Sequence, residues 1–160
     1  MGTGKSTVGR KVATLLKYQF IDSDLAIEKK ENATVKDIFS EKGEPYFREQ
    51  EKVFVEEGHP RSGCVVSCGG GLVVAEGMIE RLKKIGVVVC LHASAESIFK
   101  RLEGDASRPL LNTANPASKI NELLDLRLPY YQKANVGIHT DGRSVQALAN
   151  NVVRYYHQFI

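Results

Sequence analysis

Residues Met1-Gly2-Thr3-Gly4-Lys5-Ser6-Thr7 have the types and spacing that hold a phosphate. They match the last part of G-x-x-x-x-G-K-[ST]. In that pattern the N–H groups of a glycine-rich turn cradle nucleotide phosphates, the lysine reaches the outer phosphates and the hydroxyl binds Mg²⁺. A helical pattern follows at once, and its positive N-terminal end faces the same anion. Gly2, Thr3, Gly4, Lys5, Ser6 and Thr7 are therefore candidate nucleotide-binding residues, with Ser6 also a candidate metal ligand. A plain glycine-rich helix cap is the blander reading, and it leaves the Gly-Lys-Ser-Thr run without a reason. The first glycine of the pattern would fall one position before Met1, and the strand that feeds such a loop is missing from the sequence; a start codon assigned too late is the expected cause.

Four more clusters carry chemistry. Asp22-Ser23-Asp24 closes a short apolar segment, at a strand end where ligands bind in open α/β sheets. The two carboxylates suit Mg²⁺ ligation and contact with a hydroxyl, while an aspartate N-cap for the next helix remains the alternative for one of them. Arg48 and Glu51 are three apart on a helical pattern and can pair. A guanidinium fixed in this way can take a substrate carboxylate through two bonds, although alone the pair reads equally as a surface ion pair. Gly69-Gly70-Gly71 follows a strand and would let a ring-shaped substrate lie against backbone, or form a plain loop. Arg101, Arg108 and Arg127 are unremarkable singly. Arg108 lies in a long irregular segment, where an arginine on a closing lid would stabilise a transferring phosphoryl group.

The elements that position these groups alternate. Helical patterns are expected at Ser6–Leu16, Leu25–Glu31, Thr34–Lys42, Pro45–Glu57, Ala75–Lys84, Ser94–Leu102, Pro116–Ala134 and Ser144–Gln158. Strands are expected at Gln19–Asp22, Cys64–Ser67, Val87–Leu91 and Val136–Thr140, and a lid loop at about 103–115. This alternation predicts an α/β fold with a mostly parallel sheet, in one domain spanning 1–160. The chain has 160 residues, 42% of them hydrophobic, enough for a real core. No run of about 18 apolar residues suggests a membrane span. The net charge of +3 comes from scattered basic residues, so no nucleic-acid partner is expected. Three cysteines, Cys64, Cys68 and Cys90, suit reduced thiols in the cytosol, with Cys64 and Cys90 expected to be buried.

Taken together, the ordered set resembles the shikimate kinase family. It comprises Gly4-Lys5-Ser6, Asp22-Ser23-Asp24, Gly43-Glu44 through Phe47-Arg48 to Glu51, Gly69-Gly70-Gly71, Arg108-Pro109-Leu110-Leu111, and Arg127 with Tyr130 or Tyr131. The resemblance covers almost the whole chain. It implies a three-layer P-loop kinase fold with a five-stranded parallel sheet, the first strand missing here, and substrate-binding helices at about 25–57. It implies transfer of the ATP γ-phosphoryl group to the 3-hydroxyl of shikimate, with Mg²⁺, in aromatic amino-acid biosynthesis. By the same resemblance Lys5 holds phosphates, Ser6 and Asp22 hold the metal, and Asp24 meets the attacking hydroxyl. Arg48 and Arg127 bind the substrate carboxylate, Gly69, Gly70 and Gly71 line it, and Arg108 reaches the phosphates. Arg101 and Arg143 stand towards the adenine. A cytoplasmic monomer is expected, or a plastid one if a transit peptide has been removed. The competing readings are a gluconate-type kinase and a non-catalytic relative inactivated by truncation.

Overall fold

The computed structural model describes residues 2–102, 113 and 115–160. Arg108 and most of the expected lid lie outside the described residues. Helix α1 (Lys5–Leu16) leads into strand β1 (Gln19–Asp22), helix α2 (Ser23–Glu31) and helix α3 (Val35–Glu57). Strand β2 (Cys64–Ser67), a 3₁₀ turn (Leu72–Val74) and helix α4 (Met78–Ile85) follow. The chain then forms strand β3 (Val89–His92), α5 (Ala95–Leu102), α6 (Pro116–Tyr131), β4 (Val136–His139) and α7 (Val145–Tyr156).

Local chemistry sets most of these boundaries. Lys17 ends α1 in the left-handed conformation (φ 56°), its N–H donating back to Ala13 and Thr14. The Asp22 side chain caps α2 by accepting from the Asp24 N–H. Thr34 and Asp37 form a reciprocal capping box on α3. Within α3, Gly43 departs to φ 81° and ψ 167°, so the two helices expected on either side of it are present as two segments across a kink. Asn115 and Ser144 cap α6 and α7 through their side chains.

Several boundaries differ from expectation: α2 starts at Ser23 instead of Leu25, α6 ends at Tyr131 instead of Ala134, and α7 ends at Tyr156 instead of Gln158. Helix α4 starts at Met78 instead of Ala75, because residues 72–74 tighten into the 3₁₀ turn and Gly77 stands left-handed at the N-cap. Strand β3 starts at Val89 instead of Val87, where the Val88 N–H is bound by the Asn135 side chain.

All ladders are parallel. β1 pairs with β2 from Gln19↔Cys64 to Asp22↔Ser67, and β3 pairs with β4 from Val89↔Val136 to His92↔His139. Among the described residues the strands form two separate pairs, with a cavity of about 740 Å³ between β2 and β3. One apolar cluster joins α2, α3, the 3₁₀ turn and α4 through Ile27, Ile38, Phe47, Phe54, Leu72 and Met78. The other joins α1, β4 and α7 through Val8, Val12, Val136, Ile138, Leu148 and Ala149. Cys64 and Cys90, expected to be buried, are only half-buried because both line the cavity. Among the described residues no helix is long and apolar enough to cross a membrane.

Candidate active site

The carboxyl ends of β1 and β2 meet the start of α1. Gly2 and Gly4 adopt φ 61° and 84°, a region that L side chains rarely enter, and these turns aim the loop at the helix start. No side chain caps α1 and no acidic residue stands in its first turn. No side-chain cap therefore occupies its first N–H groups, as an anion-binding helix end requires. Thr3 is buried and Thr7 exposed. The positive charge of Lys5 reaches Cys68, just past β2, and Cys90, within β3. Arg101 donates from α5 to the Gly2 carbonyl at 3.1 Å and to Thr140 Oγ1 at 3.4 Å, so it braces the loop. Arg143 stands in the turn after β4, its N–H donating to the Thr140 carbonyl and its guanidinium against the Asn151 side chain.

Ser6 Oγ donates to Asp22 Oδ2 at 2.7 Å and lies 3.2 Å from Ser67 Oγ. Asp22 thus serves two readings at once, since its other oxygen caps α2. Two hydroxyls and a carboxylate make an all-oxygen set that fits Mg²⁺, which binds one or two carboxylates and completes its octahedron with water and phosphate oxygens. Ser67 was not singled out in the sequence; its place at the end of a strand beside the Ser6 loop is the signal that could have found it.

Asp24 and Glu51 flank Gly69. A β-carbon there would come within 2.9 Å of both Asp24 Oδ1 and Glu51 Oε1, and the Gly69 N–H donates to Ser23 Oγ at 3.1 Å. Gly71 is constrained in the same way, since a β-carbon would sit 2.5 Å from Arg48 Nη2. A side chain at either glycine would therefore push these carboxylate and guanidinium ends out of their present places. Arg48 Nη1 donates to Glu51 Oε2 at 2.6 Å, and Nε and Nη2 donate to Glu44 Oε1 at 3.1 and 2.6 Å. The Arg48 pKa is raised: burial opposes its charge, and Glu51 and Glu44 outweigh that penalty. Glu51 is 1% exposed, with Oε1 unpartnered. Burial pushes it up to about 7, against the attraction of Arg48 and with added repulsion from Asp24.

Arg127 projects from α6, buried, with Nε unpartnered and its charge acting on Glu51. Tyr131, one turn on, donates its hydroxyl to the Gly70 carbonyl at 2.9 Å and sets its ring edge-on to His92. The sequence left Tyr130 and Tyr131 as equals; the hydrogen bond to the Gly70 carbonyl singles out Tyr131. Cys68 and Cys90 are pushed up to about 12 and about 11, chiefly by burial, so they are protonated thiols and not nucleophiles. The arrangement holds a phosphate turn and an oxygen-rich metal site on one side. On the other side are two arginines, the carboxylates of Asp24 and Glu51, and the half-buried backbone of Gly69 and Gly70, groups that fit a small hydroxylated acid.

The family profile described as shikimate kinase matches residues 1–157. The shikimate kinase of Thermodesulfovibrio yellowstonii is 41% identical over 156 residues, covering 98% of this chain and 90% of that protein. That of Thermoanaerobacter pseudethanolicus is 42% identical, covering 98% and 91%. The solved shikimate kinase from Acinetobacter baumannii in complex with shikimate superimposes with TM-score 0.94 at 38% identity, covering 99% of this chain and 89% of that one. The one from Aquifex aeolicus superimposes with TM-score 0.84 at 28% identity, covering 99% and 93%.

Proposed function

This chain belongs to the shikimate kinase family, and we infer from that premise that it transfers the γ-phosphoryl group of ATP to the 3-hydroxyl of shikimate. One observation carries the residue roles: Arg48, Glu51 and Asp24 close on Gly69–Gly71 beside the phosphate loop. In this reading the backbone of Gly2, Thr3 and Gly4 with Lys5, Ser6 and Thr7 receives the ATP phosphates. Ser6 and Asp22 would hold Mg²⁺, Asp22 through water, and the metal when bound neutralises charge on the β- and γ-phosphates.

Shikimate is held by its carboxylate on Arg48 and Arg127, whose unpartnered Nε is a donor awaiting an acceptor. Its ring lies along Gly69, Gly70 and Gly71. Glu51 fixes the Arg48 guanidinium, and Tyr131 fixes the Gly70 peptide. Asp24 orients the 3-hydroxyl and takes its proton as that oxygen bonds to the γ-phosphorus. The bond from phosphorus to the β–γ bridging oxygen breaks, and ADP leaves. Positioning and charge neutralisation are what such a transfer needs from a protein. Arg108 would reach the phosphates from the lid at about 103–115, while Arg101 and Arg143 stand towards the adenine. Helices α2 and α3 form the substrate-binding half of a single-domain monomer. The bacterial source of the relatives favours a cytoplasmic enzyme over a plastid one.

The test is an assay with ATP, Mg²⁺ and shikimate, reading ADP release together with the phosphorus resonance of the product. Shikimate-dependent ADP release matched by one new phosphomonoester is expected. ADP release that ignores shikimate, or that responds to gluconate in its place, would overturn the assignment, as would no turnover at all.

A further inference from the structure

The break in α3 is held from outside, by the last side chain of α2. Gly43 separates the segments 35–42 and 44–57 with φ 81° and ψ 167°. A β-carbon there would meet nothing closer than the Pro45 ring at 3.6 Å, so the packing around Gly43 itself does little to fix the angle between the segments. Glu31, at the end of α2, accepts from Lys42 Nζ at 2.7 Å on one side of Gly43 and from the Tyr46 hydroxyl at 2.9 Å on the other. Lys42 Nζ also lies 4.6 Å from the centre of the Tyr46 ring, so the three side chains close a triangle across the break.

An exposed lysine–glutamate pair contributes little by itself, but this carboxylate is not an ordinary surface partner. A negative charge in the last turn of a helix opposes the helix dipole, which favours Lys29 and Lys30 beside it. The Glu31 side chain is only 10% exposed, and the bonds from Lys42 and then Tyr46 hold its pKa below the ordinary carboxyl value. Arg48 in turn rests on both segments. Its guanidinium lies 5.9 Å from the Phe39 ring, before the break, and 5.6 Å from the Phe47 ring, after it, and those two rings pack 5.0 Å apart. Its partner Glu44 is the first residue past Gly43. A change of angle at Gly43 therefore moves Phe39 relative to Phe47 and Glu44, and the Arg48 guanidinium with them.

We propose that Glu31 is a positioning residue for the shikimate site, acting through Lys42 and Tyr46 to set the angle across Gly43 and so the place of the Arg48 guanidinium. The proposal rests on the assignment of Arg48 to the substrate carboxylate. Glu31 touches neither substrate nor nucleotide. Its effect is confined to the half of the site that α2 and α3 build, and the phosphate loop at the start of α1 lies outside it.

The test is calorimetric titration of shikimate into the ATP-free chain, with steady-state kinetics alongside. Glu31→Ala should weaken shikimate binding about fivefold, the scale of one lost hydrogen bond, and raise KM for shikimate in step while kcat and KM for ATP hold. Glu31→Gln keeps an acceptor oxygen for Tyr46 and should recover most of the affinity. Tyr46→Phe should weaken binding less than Glu31→Ala, and adding it to Glu31→Ala should cost nothing more, since both remove the same bond. Without any ligand, amide exchange at Gly43, Glu44 and Tyr46 should quicken in Glu31→Ala and stay near the parent rate in Glu31→Gln. Parent-like shikimate binding by Glu31→Ala, equal rises in KM for both substrates, or losses that simply add in the double variant would overturn the proposal. A parent chain that binds no shikimate would instead remove the site assignment. The exchange measurement then still decides the clamp, because unchanged rates at Gly43, Glu44 and Tyr46 in Glu31→Ala would show that Glu31 does not hold the break.

Discussion

Glu51→Gln should make the folded chain more stable at neutral and alkaline pH while leaving it unchanged in acid. Glu51 is 1% exposed, and its carboxyl is pushed from an ordinary 4.5 to about 7, chiefly by burial. Between those values the folded protein keeps a proton that the unfolded chain has released. Stability therefore falls as pH rises, since it follows the protons bound by the unfolded state minus those bound by the native one. The contribution is fully present below pH 4.5 and lost above pH 7. At about 1.4 kcal/mol per pH unit, the displacement amounts to about 3 kcal/mol. Glutamine keeps an oxygen for Arg48 Nη1, now 2.6 Å from Glu51, and has no proton to lose. The assay is chemical denaturation of both proteins from pH 4 to pH 8.5, plotted as the difference in unfolding free energy. Groups common to both, such as His92, drop out of that difference. Glu51→Gln should gain about 3 kcal/mol relative to the parent across this window. A flat difference curve, or one that favours the parent as pH rises, would refute the claim that Glu51 is buried at a cost when ionised.

Arg48→Ala should raise KM for shikimate about 100-fold, equivalent to about 2.7 kcal/mol, with KM for ATP nearly unchanged; equal rises for both substrates would remove its carboxylate role. Lys5→Ala should abolish most phosphoryl transfer while circular dichroism stays native, and near-normal turnover would sink the phosphate-loop mechanism. Tyr131→Phe deletes one hydrogen bond to the Gly70 carbonyl, worth about 1 kcal/mol. It should raise KM for shikimate about fivefold with kcat nearly held, and a fall in kcat alone would contradict a positioning role. Gly71→Ala puts a β-carbon 2.5 Å from Arg48 Nη2 at an ordinary φ of −90°. It should therefore mimic part of Arg48→Ala with little loss of stability.

The sequence was most legible where one residue type has one physical job. Gly43 and Pro45 announced the break in α3, and Asp22 announced both a cap and a hydroxyl partner. It was least legible where tertiary partners decide. Nothing in Val87-Val88 shows that an asparagine 47 residues on takes the Val88 N–H and delays β3. Glu44 was as visible as Glu51, four residues before Arg48 instead of three after, but charged pairs at that spacing are common on helices. Only the structure shows Arg48 held from both sides. Glu44 is half exposed, whereas Glu51 is enclosed.

The glycine run shows why the motifs are specific together and weak apart. Read alone, Gly69-Gly70-Gly71 is a loop or a platform for a ring. In three dimensions Asp24, Glu51 and Arg48 occupy the space that β-carbons at Gly69 and Gly71 would take. The acidic pair, the Arg48–Glu51 pair and the glycine run are thus one steric and electrostatic unit. Asp24 repels Glu51, Arg48 offsets that repulsion, and Arg127 adds a second positive charge from α6. A change at one member is therefore felt by the others: losing the Arg48 charge leaves Glu51 and Asp24 to repel each other, while neutralising Glu51 relieves that repulsion. The three motifs thus share one space and one balance of charge, which is why they carry more information together than apart.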